Sequence, residues 1–388
     1  MRRHGVFLGG QMVSLLGDGL AVLAVPLLVL QVTRNPVIAA LAAAPRTIGY
    51  LCVGLFAGPL VDRADPWRLM IAMDILRAGA FVAMFAVAGG GGLAVAAVLG
   101  LAFLAGGAGV FFESALMVAV KDVFAGGALV RVNAALEVAA QVARVAGPGV
   151  VGVLSLTVGV RPAVLVNAAT FVVSLATLLT VRRPYRRTPR PDRNLRRELA
   201  EGLRFIRTTR VLLAMTLLQV VVNFALGAEK LVVFFLKDTL GLAAAAVSAV
   251  VVAGGVGGIL GALAAPRLAA WLGDVRAIVG GIVVIGVAFA CLGWTGAAGA
   301  AAAYAVMLAA QTAASVVNRS MRLRIVPPAL TGRVFSTTRV AFGGVDPAGA
   351  AVAGALTGAL GGDPRPVFVG GGVIVVLAAV LARRTALR

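Results

Sequence analysis

Long apolar runs separated by short polar breaks dominate this chain. The runs lie near residues 6–31, 37–60, 69–88, 93–119, 133–157, 162–181, 211–236, 242–265, 277–294, 297–317, 334–360 and 366–382. Each is close to the ~20 residues that cross a bilayer as a helix. A transmembrane barrel would instead show segments of about ten residues with strict alternation, and the sequence has none. The pattern predicts an all-α integral membrane protein with twelve transmembrane helices, numbered here as spans one to twelve.

The longest polar break, Arg182 to Arg210, leaves six spans on either side. This predicts an N-terminal six-helix half (1–181), a linker (182–210) and a C-terminal six-helix half (211–388). The first part of the linker is rich in Arg and Pro and suits anionic headgroups. From about Asn194, Leu195, Leu199, Leu203 and Ile206 share one face, which predicts a short amphipathic helix at the membrane interface. The halves echo each other. Asn133 precedes Pro148 by fifteen residues in span five, and Gly332 precedes Pro347 by fifteen in span eleven. Gly58-Pro-Leu60 similarly parallels Gly261-Ala-Leu263. Two six-helix pseudo-repeats with a substrate site between them are an established transporter construction. The pairs Gly254/Gly258 and Gly257/Gly261 in span eight have the spacing of close helix packing.

Composition sharpens the class. The chain has 388 residues, 61% of them hydrophobic and 13% charged, with a mean hydropathy of +1.01. Surface-to-volume scaling leaves a soluble fold too little interior for that apolar content. The net charge of +20 would suit nucleic acid if it were concentrated in one patch. It is instead distributed by topology: alternate inter-span segments hold 26 Lys and Arg against 4 in the others. By the positive-inside rule both termini are cytoplasmic, and the basic excess implies no nucleic-acid partner. The first apolar run is too long for a signal-peptide core and carries Asp18, so an uncleaved first helix is expected. Cys52 and Cys291 both fall inside spans and read as packing residues. The lone His4 makes no metal site, and nucleotide-binding loops, zinc spacings and nucleophile triads are absent from the sequence. No enzyme activity, metal or cofactor is expected.

Four motifs carry a resemblance. "GPLVDRADPWRL" resembles the signature loop between spans two and three of the major facilitator superfamily, with Gly58, Asp62, Arg63 and Arg68 at its marked positions. "GPGVVG" (Gly147, Pro148, Gly149, Gly152) is similar to the Gly-Pro motif of the antiporter branch. "VPPALTGRVFS", with Pro327, Gly332 and Arg333, and "LLGDGLAVLAVPLLVLQVTRNP" in span one resemble the macrolide-efflux and enterobactin-exporter-like group. The fourth span lacks the intramembrane Arg that many proton-coupled drug exporters carry, and Asp65-Pro66 replaces the usual Gly and basic residue.

Charges inside spans need a partner or a purpose. Counting helix rise from the cytoplasmic edge puts Asp18 and Asp346 at ~18 Å, Arg144 at ~16 Å and Arg46 at ~15 Å. This is one layer, read as coupling proton and substrate, with Arg46 the expected partner of Asp18. A second group, nearer the cytoplasmic face, comprises Asp62, Arg63, Arg68, Asp74, Arg77, Glu113, Glu137 and Arg339. It reads as a latch between the halves, in which Asp74 and Arg77 pair at i, i+3 and Asp62 meets the helix dipole of span eleven. Glu229 and Lys230 are expected at the outer end of span seven. The resemblance implies a monomeric plasma-membrane exporter of hydrophobic or amphipathic small molecules by proton antiport. Siderophore export, lysophospholipid transport and a non-transporting sensor or scaffold on the same fold are the alternatives.

Overall fold

The computed structural model describes residues 2–33, 57, 60–61, 64–88, 92–124, 127–157, 159–181 and 195–386. Every regular element among them is helical. Eleven of the helices are long and apolar enough to cross a membrane. Span one is Arg2–Thr33, three Pro66–Val87, four Gly92–Val123, five Gly127–Thr157 and six Val160–Val181. The linker helix is Leu195–Thr208, and span seven begins as Arg210–Leu226. Spans eight to twelve are Ala244–Leu272, Asp274–Leu292, Ala297–Ile325, Thr331–Ala359 and Arg365–Ala386. Most of span two lies outside the described residues, as do Cys52 and the first part of the linker.

The helices overrun the apolar runs that predict them. Span ten continues to Ile325 through Arg319, Arg322 and Arg324, which the sequence assigns to a loop. A change from apolar to polar marks where lipid stops, whereas a helix stops only where its backbone hydrogen bonds find another partner. Span three has such a boundary. Asp65 is its N-cap, accepting hydrogen bonds from the amides of Trp67 (2.9 Å) and Arg68 (3.4 Å), and Pro66 opens the first turn. The Asp-Pro pair that departs from the family pattern is thus a helix start: the carboxylate satisfies orphan amides and proline has no amide to satisfy.

Span seven is interrupted. After Leu226 it tightens to a 3₁₀ segment, Gly227–Leu231, takes one α turn, then widens to a π segment, Phe235–Thr239. Gly227 sits at the first change because its α-carbon faces the backbone of Gly349 and Ala350 in span eleven, where a Cβ has no room. The same logic explains span eight. The faces of Gly257 and Gly261 lie against the backbone of Ala305 and Ala309 in span ten, a small-residue crossing of the kind their spacing predicts.

Two compact units result. The first comprises Met1–Phe124, Val142–Gly202 and Val326–Thr337; the second comprises Ala125–Gln141, Leu203–Ile325 and Thr338–Arg388. Within the first, span one packs on span six, and span three on spans four and six. Within the second, span seven packs on span twelve, and span nine on spans ten and twelve. The pairings correspond one to one, so the repeat is visible in packing as well as in sequence. Phe81 and Phe171 (5.7 Å between centroids) join spans three and six. Phe368 sits against Phe235 and Phe289 at 5.4 and 5.3 Å, joining spans seven, nine and twelve. Two stretches lie in the unit built mainly from the other half of the chain: the start of span five and the start of span eleven.

Candidate functional site

The first unit holds a buried charge cluster. Span one presents Asp18 between Gly17 and Gly19, both of which are filled by neighbours. A Cβ on Gly17 would strike Asn167 and Thr170 of span six, and one on Gly19 the carbonyl of Ala143 in span five. Gly147 of the Gly-Pro motif meets the Gly19 backbone from the other side. The flanking glycines therefore let three helices close around Asp18, whose side chain retains 27% exposure. Arg77 reaches it at 3.7 Å and is itself only 3% exposed. Its guanidinium also bonds Asp74, one turn earlier on span three, as the i, i+3 spacing predicts. Phe112 and Phe171 hold the cation between their rings, each centroid 4.2 Å away, a cation–π arrangement strengthened by desolvation. Asp74 Oδ2 and Arg77 Nε have no hydrogen-bond partner. Two carboxylates thus share one guanidinium, an arrangement one negative charge from neutrality when both acids are ionised.

This differs from the predicted layering. Asp74 and Arg77, expected in the group nearer the cytoplasmic face, belong with Asp18. Rise gives the height of an α-carbon and ignores the several ångströms an arginine spans. Arg46, the expected partner, lies outside the described residues.

The second unit holds a cluster of similar content. Lys230 Nζ lies 3.4 Å from Asp346 Oδ1, with side chains 60% and 36% exposed. Beside it the Tyr304 hydroxyl donates to Glu229 Oε1 at 3.0 Å. The 3₁₀ turn of span seven brings Glu229 and Lys230 together with spans ten and eleven. Asp346 stands ~22 Å along its helix, a depth at which a charge facing lipid tails is strongly disfavoured. Its exposed edge is therefore a water-facing one. Lys230, expected at the outer end of span seven, pairs with Asp346 of span eleven, its long side chain spanning the difference in α-carbon depth. Arg144 is exposed and belongs to the first unit, and Asp346 belongs to the second.

A third group forms where chain halves exchange segments. In the second unit the start of span five meets span ten through three polar rungs. Asn133 Nδ2 donates to Ser320 Oγ at 3.1 Å, Arg319 pairs with Glu137 at 3.4 Å, and Gln141 Nε2 donates to Thr312 Oγ1 at 3.1 Å. Deeper in that unit Arg322 is buried, donating to Asn318 (3.0 Å) and Thr216 (3.3 Å) beneath the Phe342 ring. In the first unit Lys121 donates to the Val326 carbonyl and lies 3.4 Å from Thr331 Oγ1. Arg333 of the span ten–eleven motif pairs with Glu201 at 2.6 Å, and Pro327 caps the short 3₁₀ turn before span eleven.

Glu137 is the predicted latch residue that these bonds engage. Its partner Arg319, with Lys121, Gln141, Arg322 and Glu201, is not singled out by the sequence pattern; a polar residue within an apolar run marks Gln141, whereas the other four lie in the polar breaks, where charge is ordinary. Arg68 pairs locally with Asp65 at 3.6 Å. Glu113 and Arg339 are half-buried, and Gly149 is exposed. Gly58, Asp62 and Arg63 lie outside the described residues, so the expected contact of Asp62 with span eleven does too; Pro148 and Gly152 lie within the helix of span five. Among the described residues no group of three or more His, Cys, Asp or Glu could hold a metal ion.

Comparison with known proteins agrees with this architecture. The Major Facilitator Superfamily profile matches residues 7–345. The multidrug efflux pump Tap of Mycolicibacterium fortuitum is 28% identical over 283 residues, 70% of this chain and 68% of that protein. The multidrug efflux pump Tap of Mycobacterium tuberculosis is 30% identical over 217 residues, 53% of this chain and about half (51%) of its own length. A bacterial homologue of the iron transporter ferroportin, crystallised in an outward-facing state, shares the fold with a TM-score of 0.83 at 18% identity, covering 100% of both chains. The chain belongs to the Major Facilitator Superfamily and is a multi-pass membrane transporter of small molecules.

Proposed function

We propose that this transporter exports hydrophobic or amphipathic small molecules by proton antiport, as a monomer in the plasma membrane with both termini cytoplasmic. The relatives named multidrug efflux pump support the substrate class. The 26-to-4 division of basic residues supports the orientation. The observation that carries proton coupling is the cluster of Asp18, Arg77 and Asp74.

A buried guanidinium between two carboxylates leaves one surplus negative charge, and burial disfavours an uncompensated charge. One proton shared by the two acids brings the cluster to neutrality. Asp18 keeps contact with water while Asp74 is sealed, so exchange with the medium runs through Asp18. When Asp18 takes the proton, its attraction for Arg77 falls and Arg77 stays with Asp74. Span one is then held to span three by one ion pair fewer. A cationic or polar substrate and a proton compete for the same carboxylate, which is the minimal requirement of an antiporter. Asp346 with Lys230 is the second coupling candidate, on the substrate side.

The rungs at Asn133, Glu137 and Gln141, with the Lys121 and Arg333 bonds, form the latch. Hydrogen bonds join these segments where apolar packing would otherwise do so. Their polar groups regain water when the contact parts, which suits a junction that opens in every cycle.

Proteoliposomes loaded with a cationic dye and given an imposed pH gradient test the reading. Asp18→Asn should lose accumulation against a gradient and keep downhill exchange of dye. Equal uphill transport by Asp18→Asn and wild type would end the proposal.

A further inference from the structure

The linker helix Leu195–Thr208 has an exposed arc and a buried one. Leu203, Arg207, Ala200 and Arg204 fall within an arc of about 100° on a helical wheel, and all four are exposed. Gly202 and Ile206 lie outside that arc and are buried; Ile206 is only about 60° from Leu203, so the apolar face expected from sequence is divided, Ile206 turned inward and Leu203 outward. Gly202 rests on the side chain of Arg333, and Glu201 pairs with that guanidinium at 2.6 Å. Arg333 is 2% exposed and stands in the first turn of span eleven. There a cation opposes the positive end of the helix dipole, and the Glu201 carboxylate relieves both charges. One side of the linker helix is thus fastened to the start of a membrane span.

Its C-terminal end is fastened to another. Thr209 is the single residue between the linker helix and span seven, and the helical hydrogen bonds nearly continue through it. The Thr209 amide donates to the Phe205 carbonyl at 3.1 Å, and the Leu213 amide to the Thr209 carbonyl at 3.0 Å. Arg210, also exposed, is the first residue of span seven. Running almost without a break into span seven places the C-terminal part of this helix at the start of that span, where hydrocarbon gives way to water. Its outward arc, one leucine among arginines, matches that boundary: the leucine meets acyl chain while the arginines extend to phosphate.

We propose that the helix Leu195–Thr208 is a binding surface for anionic phospholipid headgroups, with Arg204, Arg207 and Arg210 as the cationic ligands and Leu203 as the apolar contact. Guanidinium groups recognise phosphate through paired hydrogen bonds as well as charge. Each basic residue at a charged membrane surface contributes about a fivefold preference, so three give on the order of a hundredfold at low salt. Because Thr209 carries the helix into span seven, headgroup charge at Arg204, Arg207 and Arg210 bears directly on the start of that span.

The test needs no transport and is independent of the export reading. Ala200→Cys, on the exposed arc, is labelled with a fluorophore in full-length protein whose Cys52 and Cys291 are replaced by alanine. Quenching is then compared between spin-labelled phosphatidylglycerol and spin-labelled phosphatidylcholine in bilayers of the two lipids. Phosphatidylglycerol should quench preferentially, and high salt should reduce the preference. Substituting Arg204, Arg207 and Arg210 together by glutamine should bring it near unity, whereas substituting all three by lysine should retain most of it. Equal quenching by both lipids in the wild-type sequence would overturn the proposal, as would a preference that survives the triple glutamine change. Quenching indifferent to headgroup but rising with protein density would assign the face to a second copy of the chain, and would overturn it equally.

Discussion

The clusters around Arg77 and Lys230 have almost the same inventory and opposite surroundings. Each gathers two acids and one base from neighbouring helices of its own unit: Asp18, Asp74 and Arg77 in the first, Glu229, Asp346 and Lys230 in the second. Arg77 is sealed between two aromatic rings, whereas Lys230 is 60% exposed. Burial decides what such a set of charges can do. In a dry site a change of protonation changes which ion pairs hold, and the helices respond. In a wet site water screens the same change, and the charges are left available to meet a solute. The first cluster therefore suits switching and the second suits recognition.

The largest effect that separates them is the loss of the base. Arg77→Ala strands two carboxylates in the first unit and should destabilise the protein by about 3–5 kcal/mol, read as a fall in the unfolding temperature in detergent. Replacing Asp74 and Arg77 together by leucine and methionine should recover most of that stability, because a buried ion pair is often matched by apolar packing. If this double variant also regains uphill transport, Arg77 only fixes helix register and the contrast between the clusters fails. Glu137→Ala should have an intermediate effect. It leaves Arg319 without its carboxylate at a cost of about 1–3 kcal/mol, and should accelerate exchange of the amides at the start of span five. Lys230→Ala should have the smallest effect on stability, under about 1 kcal/mol, since exposed pairs contribute little. It should nevertheless change the apparent affinity for a cationic dye. A large loss of stability with unchanged affinity would reverse the roles given to the two clusters.

These contrasts were only partly legible in sequence. The spans were, because twenty apolar residues in a row leave few alternatives to a membrane helix. The Asp74–Arg77 pair was also legible, since i and i+3 share a face of any helix. The Asp18–Arg77 contact was not. Fifty-nine residues separate the two, and helix rise orders α-carbons by depth without saying how helices rotate or how far a guanidinium reaches. The pairing of Lys230 with Asp346 was not legible either, because it depends on the reach of a lysine side chain between two helices. The break in span seven has no proline to announce it, and Gly227 stands at its start with its face against the backbone of Gly349. Asp65-Pro66 was legible as a departure from the family pattern, yet its meaning as a cap needed the amides of Trp67 and Arg68 in view.

The central claim is that the Asp18 carboxylate couples protons to export. Its most direct test is proton movement measured alongside substrate in one preparation: proteoliposomes carrying an internal pH dye, into which substrate is driven by its own concentration gradient. The wild-type protein should move protons out of the lumen as substrate enters. Asp18→Asn should pass substrate downhill without any proton signal, while Asp346→Asn should keep the ratio of protons to substrate and lose affinity. A proton signal of wild-type ratio in Asp18→Asn would contradict the account.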